Sequence, residues 1–356
     1  MKRIAHFGML LAGLLGVAVA TVLVIREGAG GIFGMLATAG WTLLWLVPLH
    51  LLPIALDVVG WRRLLRGEPR APFPFLLWVG GVREAINGLL PVARVGGELV
   101  GIRLVARRGV AWDVAAASVV VEVSLTLVSQ LVFTLVGIAI LSQSMRSHAI
   151  VTDALVGVAI VTPLIGVFIM LQHHWGLFQM LERLIQVILG RHHEWAANMG
   201  RLDETVRALY ARHRALLSSL FWQLAGLFAG AGEAWVTFRL LRHPITLSGA
   251  IMLESLGLAL RSATFIVPVG VGVQEGGFLL FGAAIGIAPA VALAYSLARR
   301  FRELAFGLPF LLSWQGVEGH NLRRRWRARN DEGDARKPPR DAPPDMEDAI
   351  VGKERS

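Results

Sequence analysis

The sequence predicts an all-α polytopic membrane protein built as an inverted repeat, and three observations predict it. Hydrophobic residues make up 55% of the 356-residue chain, and the mean hydropathy is +0.59. Apolar runs of about eighteen residues or more recur, long enough to cross a bilayer as helices. A polar signature also occurs twice inside such stretches: Arg83, Pro91-Val92 and Glu98 return as Arg261, Pro268-Val269 and Glu275. Finally, the arginines segregate to one side of the predicted spans, as cytoplasmic loops require.

The repeat extends well beyond that signature. Gly109-Val110-Ala111 follows Glu98 as Gly286-Ile287-Ala288 follows Glu275. Asp57 precedes Arg63-Leu64-Leu65-Arg66 as Glu233 precedes Arg239-Leu240-Leu241-Arg242. A duplicated membrane unit with helix breakers and charges at matching depths is the usual trace of a transporter.

Each element follows from its own stretch. Lys2-Arg3 followed by the apolar run 7–25 is too long for a signal-peptide core and reads as an uncleaved first span. Residues 37–59, 113–141, 150–171, 216–240 and 289–316 give five more spans. Residues 75–100 and 250–287 are apolar but broken midway by proline and glycine, and each reads as a re-entrant helical hairpin. Broken backbone at membrane depth is tolerated only where protein buries it or where it lines a cavity. Each half therefore has three spans and one hairpin, six spans and two hairpins in all; plain hydropathy would count seven or eight spans. The first repeat is 1–149 and the second 150–317. The second carries a cytoplasmic amphipathic insertion, 172–215, that lies along the membrane surface or packs as a hairpin on the bundle. Residues 318–356 are basic, then rich in proline and acid, and are expected to be a disordered cytoplasmic tail.

Orientation follows from the arginines. Lys2-Arg3, then Arg62, Arg63, Arg66 and Arg70, then Arg103, Arg107 and Arg108, then the insertion and Arg323-Arg324-Arg325 all fall inside. Both termini are thus cytoplasmic. An odd number of crossings per half inverts the second copy, so the first hairpin opens from the cytoplasm and the second from the opposite side.

Composition also excludes. The chain has no cysteine, so disulfides and thiol chemistry are absent. The net charge of +10 sits at span ends and in the tail, where it suits anionic lipid rather than nucleic acid. His173-His174 and His192-His193 lack a carboxylate at metal-ligand spacing, so no metal is expected. Gly270-Val271-Gly272 has no strand–helix unit around it, and no nucleophile triad stands out. No cofactor is expected.

Charge within a membrane is costly and usually faces a cavity or a partner. Arg83, Glu84, Asn87, Pro91, Arg94 and Glu98 make the first hairpin strongly polar for its depth, and Arg261, Pro268, Gln274 and Glu275 take the matching places in the second. A helix restarting at Pro91 would set Arg94 and Glu98 four residues apart, able to pair. These groups either form a path for a lipid head group or coupling ion, or neutralise one another and lock the hairpins. Glu122, inside the third span, is matched by Arg299, which invites a pair across the repeats acting as a gate; Arg299 with Glu303, four residues on, is the intrahelical alternative.

The stretches Arg83-Glu84, Leu90-Pro91-Val92-Ala93-Arg94-Val95-Gly96-Gly97-Glu98 and Val267-Pro268-Val269-Gly270-Val271-Gly272-Val273-Gln274-Glu275-Gly276-Gly277 resemble the membrane region of the lysylphosphatidylglycerol synthase/flippase family. Within it the chain resembles the stand-alone branch associated with hopanoid biosynthesis. The resemblance implies a multi-pass protein of the bacterial inner membrane that translocates lipid through broken re-entrant helices. It also implies membrane lipids as partners, and lipid-synthesis enzymes as further candidates. The soluble aminoacyl-transferase domain of the full-length synthases has no counterpart here, so lysyl transfer is not expected. The expected function is a flippase-like carrier of hopanoid or a related amphiphilic lipid, not an enzyme. The alternatives are a membrane enzyme using Glu98 or Glu275 as acid or base on a polyprenyl or hopanoid lipid, and a scaffold for lipid synthesis. Oligomeric state is not legible.

Overall fold

This computed structural model describes residues 21–65, 68–90, 96–144, 193–263 and 273–335, with scattered helical residues between 152 and 170; for 193–200 and 319–335 it describes the backbone alone. The first span up to residue 20, Pro91, Arg94, Pro268, the 172–192 part of the insertion and the tail beyond Ala335 lie outside the described residues. Among the described residues every regular element is a helix. They run α1 Ala29–Ala39, a 3-10 turn Gly40–Trp45, α2 Leu46–Leu64, α3 Phe73–Leu89, α4 Gly96–Arg107 and α5 Trp112–Ser144. After these come α6 His193–Tyr210, α7 His213–Leu240, α8 Leu247–Ala263, α9 Val273–Ala284 and α10 Pro289–Ala335.

Three stretches are long and apolar enough to cross a membrane: Ala29–Leu64, Trp112–Gln143 and His213–Leu240. The chain is an all-α polytopic membrane protein. These stretches contain the second, third and fifth spans expected from sequence, the first of them beginning upstream of the expected residue 37. The expected span 289–316 falls in α10, where Arg299, Arg300, Arg302 and Glu303 interrupt the apolar pattern. The helix continues through them because each is ion-paired. Large apolar side chains such as Trp41, Trp45, Leu217, Phe221 and Leu308 point outward, as a lipid-facing surface requires.

The duplication is visible in the helices. α4 and α9 have twelve residues each. Trp112 and Pro289, which open α5 and α10, stand 177 residues apart. Each is preceded by a glycine in the left-handed region, Gly109 (φ 94°) and Gly286 (φ 76°), a conformation that costs any residue with a Cβ. Twelve residues make a helix of about 18 Å, short of the roughly 30 Å hydrocarbon core.

The two copies run in opposite directions. α2 and α7 share the most extensive helix–helix contact in the bundle and pack antiparallel. The Arg212 guanidinium donates to the Leu64 carbonyl at 3.4 Å, Gly60 faces Ser219, Gly226 faces Asp57, and His50 bonds Glu233. Asp57 is the repeat equivalent of Glu233, and Gly226 of His50. The contact of Asp57 with Gly226 therefore returns as that of Glu233 with His50, the signature of a two-fold relation. The turn at Gly109 is held by Arg70, whose Nη1 donates to its carbonyl at 2.8 Å, beside the end of α2. The equivalent turn at Gly286 leads into Ile287, which packs with Leu241 and Ala250 at the far end of α7. Equivalent turns at opposite ends of one helix pair make the copies antiparallel.

Each hairpin leans on the long helix of the other half. Ser262 Oγ donates to Gln130 Oε1 at 3.3 Å, joining α8 to α5, and Gly137 meets Ser255 nearby. At the equivalent place Gly307 of α10 faces Ala85 and Leu89 of α3.

Two expectations are refined. α6 packs on the bundle through Leu202, Val206 and Leu209 against Leu64, Ala117 and Val121, so this described part of the insertion is not merely laid on a membrane surface. The tail expected to be disordered from residue 318 is helical as far as Ala335, as part of a separate compact unit, residues 311–356. No proline occurs there before Pro338, and its leucine, arginine, glutamate and alanine favour helix.

Candidate functional site

The first network is built on α3, α4 and α5. Nearly two turns from the end of α3, Arg83 projects between the other two helices. Its Nη1 donates to both oxygens of buried Glu122, at 2.9 and 3.2 Å, and its Nη2 to Glu98 at the start of α4. The guanidinium lies 4.7 Å from the centre of the Trp61 ring, whose Nε1 donates to Ser118 Oγ at 3.0 Å. Asn87, one turn after Arg83, donates to Glu98 Oε1 at 3.2 Å and accepts from the Gly97 backbone N–H at 2.9 Å. Glycines make this approach possible: a Cβ on Gly97 would stand 2.5 Å from the Arg83 carbonyl oxygen, and one on Gly101 2.8 Å from Arg83 Cδ. Gln223 of α7 donates to the Glu122 carbonyl at 3.4 Å and ties the network to the central helix pair.

Two further carboxylates border it. Asp57 is exposed and within electrostatic reach of Glu122, Glu84 and Arg83. Among the described residues neither Asp57 nor Glu84 makes a hydrogen bond or an ion pair. Among the described residues one arginine thus faces four carboxylates. Such a wall can take up a proton, a cation, or the hydroxyl and amine groups of a polar head.

The second network is larger and balanced. Arg299 of α10 donates to both oxygens of Glu254 on α8, at 2.6 Å each, and Tyr295 also donates to that carboxylate. Arg299 Nε lies 3.5 Å from Glu303. Glu275, at the start of α9, accepts from Ser296 Oγ at 3.1 Å and lies 3.5 Å from Arg300. Arg302 pairs with Glu233 of α7, and His50 Nδ1 stands 2.8 Å from the same carboxylate. Arg261 feels the charge of both Glu254 and Glu303. Gln274 is buried beside Glu275.

The structure thus gathers Arg83, Asn87, Glu98 and Glu122 at one site with Glu84 at its border, and Arg261, Glu275, Arg299 and Glu303 at the other. The pair expected between Glu122 and Arg299 is not formed: Glu122 bonds Arg83, and Arg299 bonds Glu254 and Glu303. The two-fold relation centres on α2 and α7, so equivalent residues of the outer helices α5 and α10 do not meet. Sequence reasoning missed Glu254, His50, Tyr295 and Arg302 as site residues. Glu254 was open to it, as a carboxylate within an apolar stretch. Asp57 and Glu233 were visible only as markers of the repeat.

No curated protein and no solved structure matches the chain. The family described as Lysylphosphatidylglycerol synthase TM region matches residues 9–310, and the chain belongs to that family.

Proposed function

We propose that the protein moves lipid between the leaflets of the bacterial inner membrane without changing it chemically. The observation that carries this reading is the antiparallel duplication with one polar network at each hairpin. Two such units, opening from opposite faces, allow a polar head to pass while apolar tails stay in lipid. In this reading both termini are cytoplasmic and both hairpins are re-entrant. Arg83, Asn87, Glu98 and Glu122 line the cytoplasmic half of the path, and Arg261, Gln274 and Glu275 the other. Movement is passive or ion-coupled, and the exposed Asp57 is the carboxylate best placed to carry a proton. The cargo is hopanoid or a related amphiphilic lipid, a choice supported by the sequence's likeness to the hopanoid-associated branch.

Reconstitution tests the reading. Liposomes holding the purified protein and a fluorescent hopanoid analogue would be exposed to a membrane-impermeant quencher. Transport lets quenching proceed past the outer leaflet, and mass spectrometry returns the lipid unaltered. Quenching that stops at the outer leaflet overturns the proposal, and a chemically altered lipid turns it toward an enzyme. Glu98→Gln and Glu275→Gln should slow transfer while the protein still inserts at normal abundance. Loss of folded protein in both would mean that these charges only lock the hairpins.

A further inference from the structure

A third polar feature lies apart from both hairpin networks. Where α2 ends and α7 begins, a groove of about 1010 Å³ is lined by Arg62, Arg63, Arg212, His213, Arg214 and Ser218, and among the described residues no carboxylate lines it. Arg212 is engaged with the Leu64 carbonyl. Arg62, Arg63, His213 and Arg214 are exposed and, among the described residues, make no hydrogen bond or ion pair. α7 brings its own positive pole here, with no acidic residue in its first turn and no side-chain cap. Gathering like charges around one hollow is unfavourable unless an anion from outside the chain compensates them.

The groove's apolar continuation says which anion. On α7, Arg214 is followed at helical spacing by Leu217 and Phe221, exposed by 66% and 62%. On antiparallel α2, Arg63 is preceded on one face by Val59 and by Leu52, itself 50% exposed. The surface therefore grades from cationic to apolar along the helix axes. A free phosphate would use only the first part; a phospholipid would use both. Arginines that serve only to set topology need neither a shared hollow nor an apolar track. We infer that this groove binds an anionic phospholipid, with its phosphate among Arg62, Arg63, His213 and Arg214 and an acyl chain along Leu217 and Phe221. The site holds whether or not the hairpins transport lipid.

The test uses the full chain in phosphatidylcholine nanodiscs. Dioctanoyl phosphatidylglycerol, dioctanoyl phosphatidylcholine and inorganic phosphate would be titrated separately, with bound lipid counted by native mass spectrometry. Phosphatidylglycerol should bind about tenfold tighter than phosphatidylcholine, and Arg62→Gln with Arg63→Gln and Arg214→Gln should abolish that preference, given the ordinary contribution of a basic residue near a lipid surface. Removing equal charge elsewhere, by Arg26→Gln with Arg239→Gln and Arg242→Gln, should leave it intact. Ser218→Glu, which puts a carboxylate into the groove, should weaken binding even if the triple variant does not fold. Inorganic phosphate should compete only weakly. Equal loss in both triple variants would reduce the effect to surface charge and overturn the site. Phosphate binding as tightly as the lipid would overturn the lipid assignment, and unchanged binding in Ser218→Glu would place the lipid elsewhere.

Discussion

Arg83 holds two carboxylates at once, so its removal differs in kind from removal of either partner. Glu122→Gln leaves Arg83 bonded to Glu98, whereas Arg83→Gln strands Glu98 and Glu122 beside Asp57. Breaking a buried ion pair from one side costs about 3–5 kcal/mol, and Arg83→Gln should lie at the top of that range or above it, with Glu122→Gln below. Unfolding in mixed micelles would rank them. A double-mutant cycle on Arg83 and Glu122 should give a coupling energy of about 1 kcal/mol or more, while one on Glu122 and Arg299 should be additive within about 0.5 kcal/mol. Clear coupling in the second cycle would contradict the geometry. At this scale the sequence revealed which residues matter better than whom they meet. Arg83, Asn87 and Glu98 stand out as charge or amide within an apolar stretch. That Glu122 completes their site depends on how α3 and α5 cross, which no local pattern encodes. Glu233 with His50 shows the same limit: the pair lies near the two-fold centre and joins positions unrelated by the repeat.

At the scale of the helices, close approach rests on particular glycines. Gly97 lets α4 close on Arg83 and Asn87, and Gly137 lets α5 close on Ser255 of α8. A Cβ at either place meets another element at less than van der Waals distance, so Gly97→Ala and Gly137→Ala should each destabilise by about 1–3 kcal/mol, as overpacking does. Gly232, midway along α7, has nothing within 4 Å of a built Cβ, and Gly232→Ala should be neutral or stabilising by up to about 1 kcal/mol. Melting of the three variants in one detergent would decide it; equal losses would show that glycine content rather than contact sets stability. The helices themselves were largely legible, since apolar runs fix α2, α5 and α7 and breakers separate α3 from α4 and α8 from α9. The helical continuation to Ala335 was not, because charge-rich composition resembles disorder until helix propensity is weighed. The role of α6 was not legible in detail: packing on the bundle was one of two alternatives for the insertion, and no local pattern encodes the pocket of Leu64, Ala117 and Val121 that receives it.

For the whole molecule, symmetry of backbone and asymmetry of charge coexist. Gly109 and Gly286 turn alike, yet among the described residues the first network sets one arginine against four carboxylates and the second sets four arginines against four. The antiparallel arrangement constrains where the loops lie. Leu64 and Arg212 are bonded, as are Arg70 and Gly109 and, through their side chains, Thr205 and Asp113, so the loops after α2, α4 and α6 share one face of the bundle. The opposite face holds the end of α7 and the turn before α10. Basic residues crowd the first face, and in the proposed reading that face is the cytoplasmic one, by the usual charge bias. Since the chain has no cysteine, a single one can be introduced anywhere without removing a native thiol. Cysteines at residues 200 and 330 should react with an impermeant reagent only after the cells are opened. Cysteines at the exposed positions 27 and 243 should react in intact cells whose outer barrier alone is permeabilised. Labelling of 200 from outside, with 243 protected, would reverse the protein in the membrane without disturbing its two-fold. Labelling of 200 and 243 from the same side would be more serious: α7 joins the two loops and would then not cross the bilayer, which removes the physical basis for two hairpins opening on opposite faces.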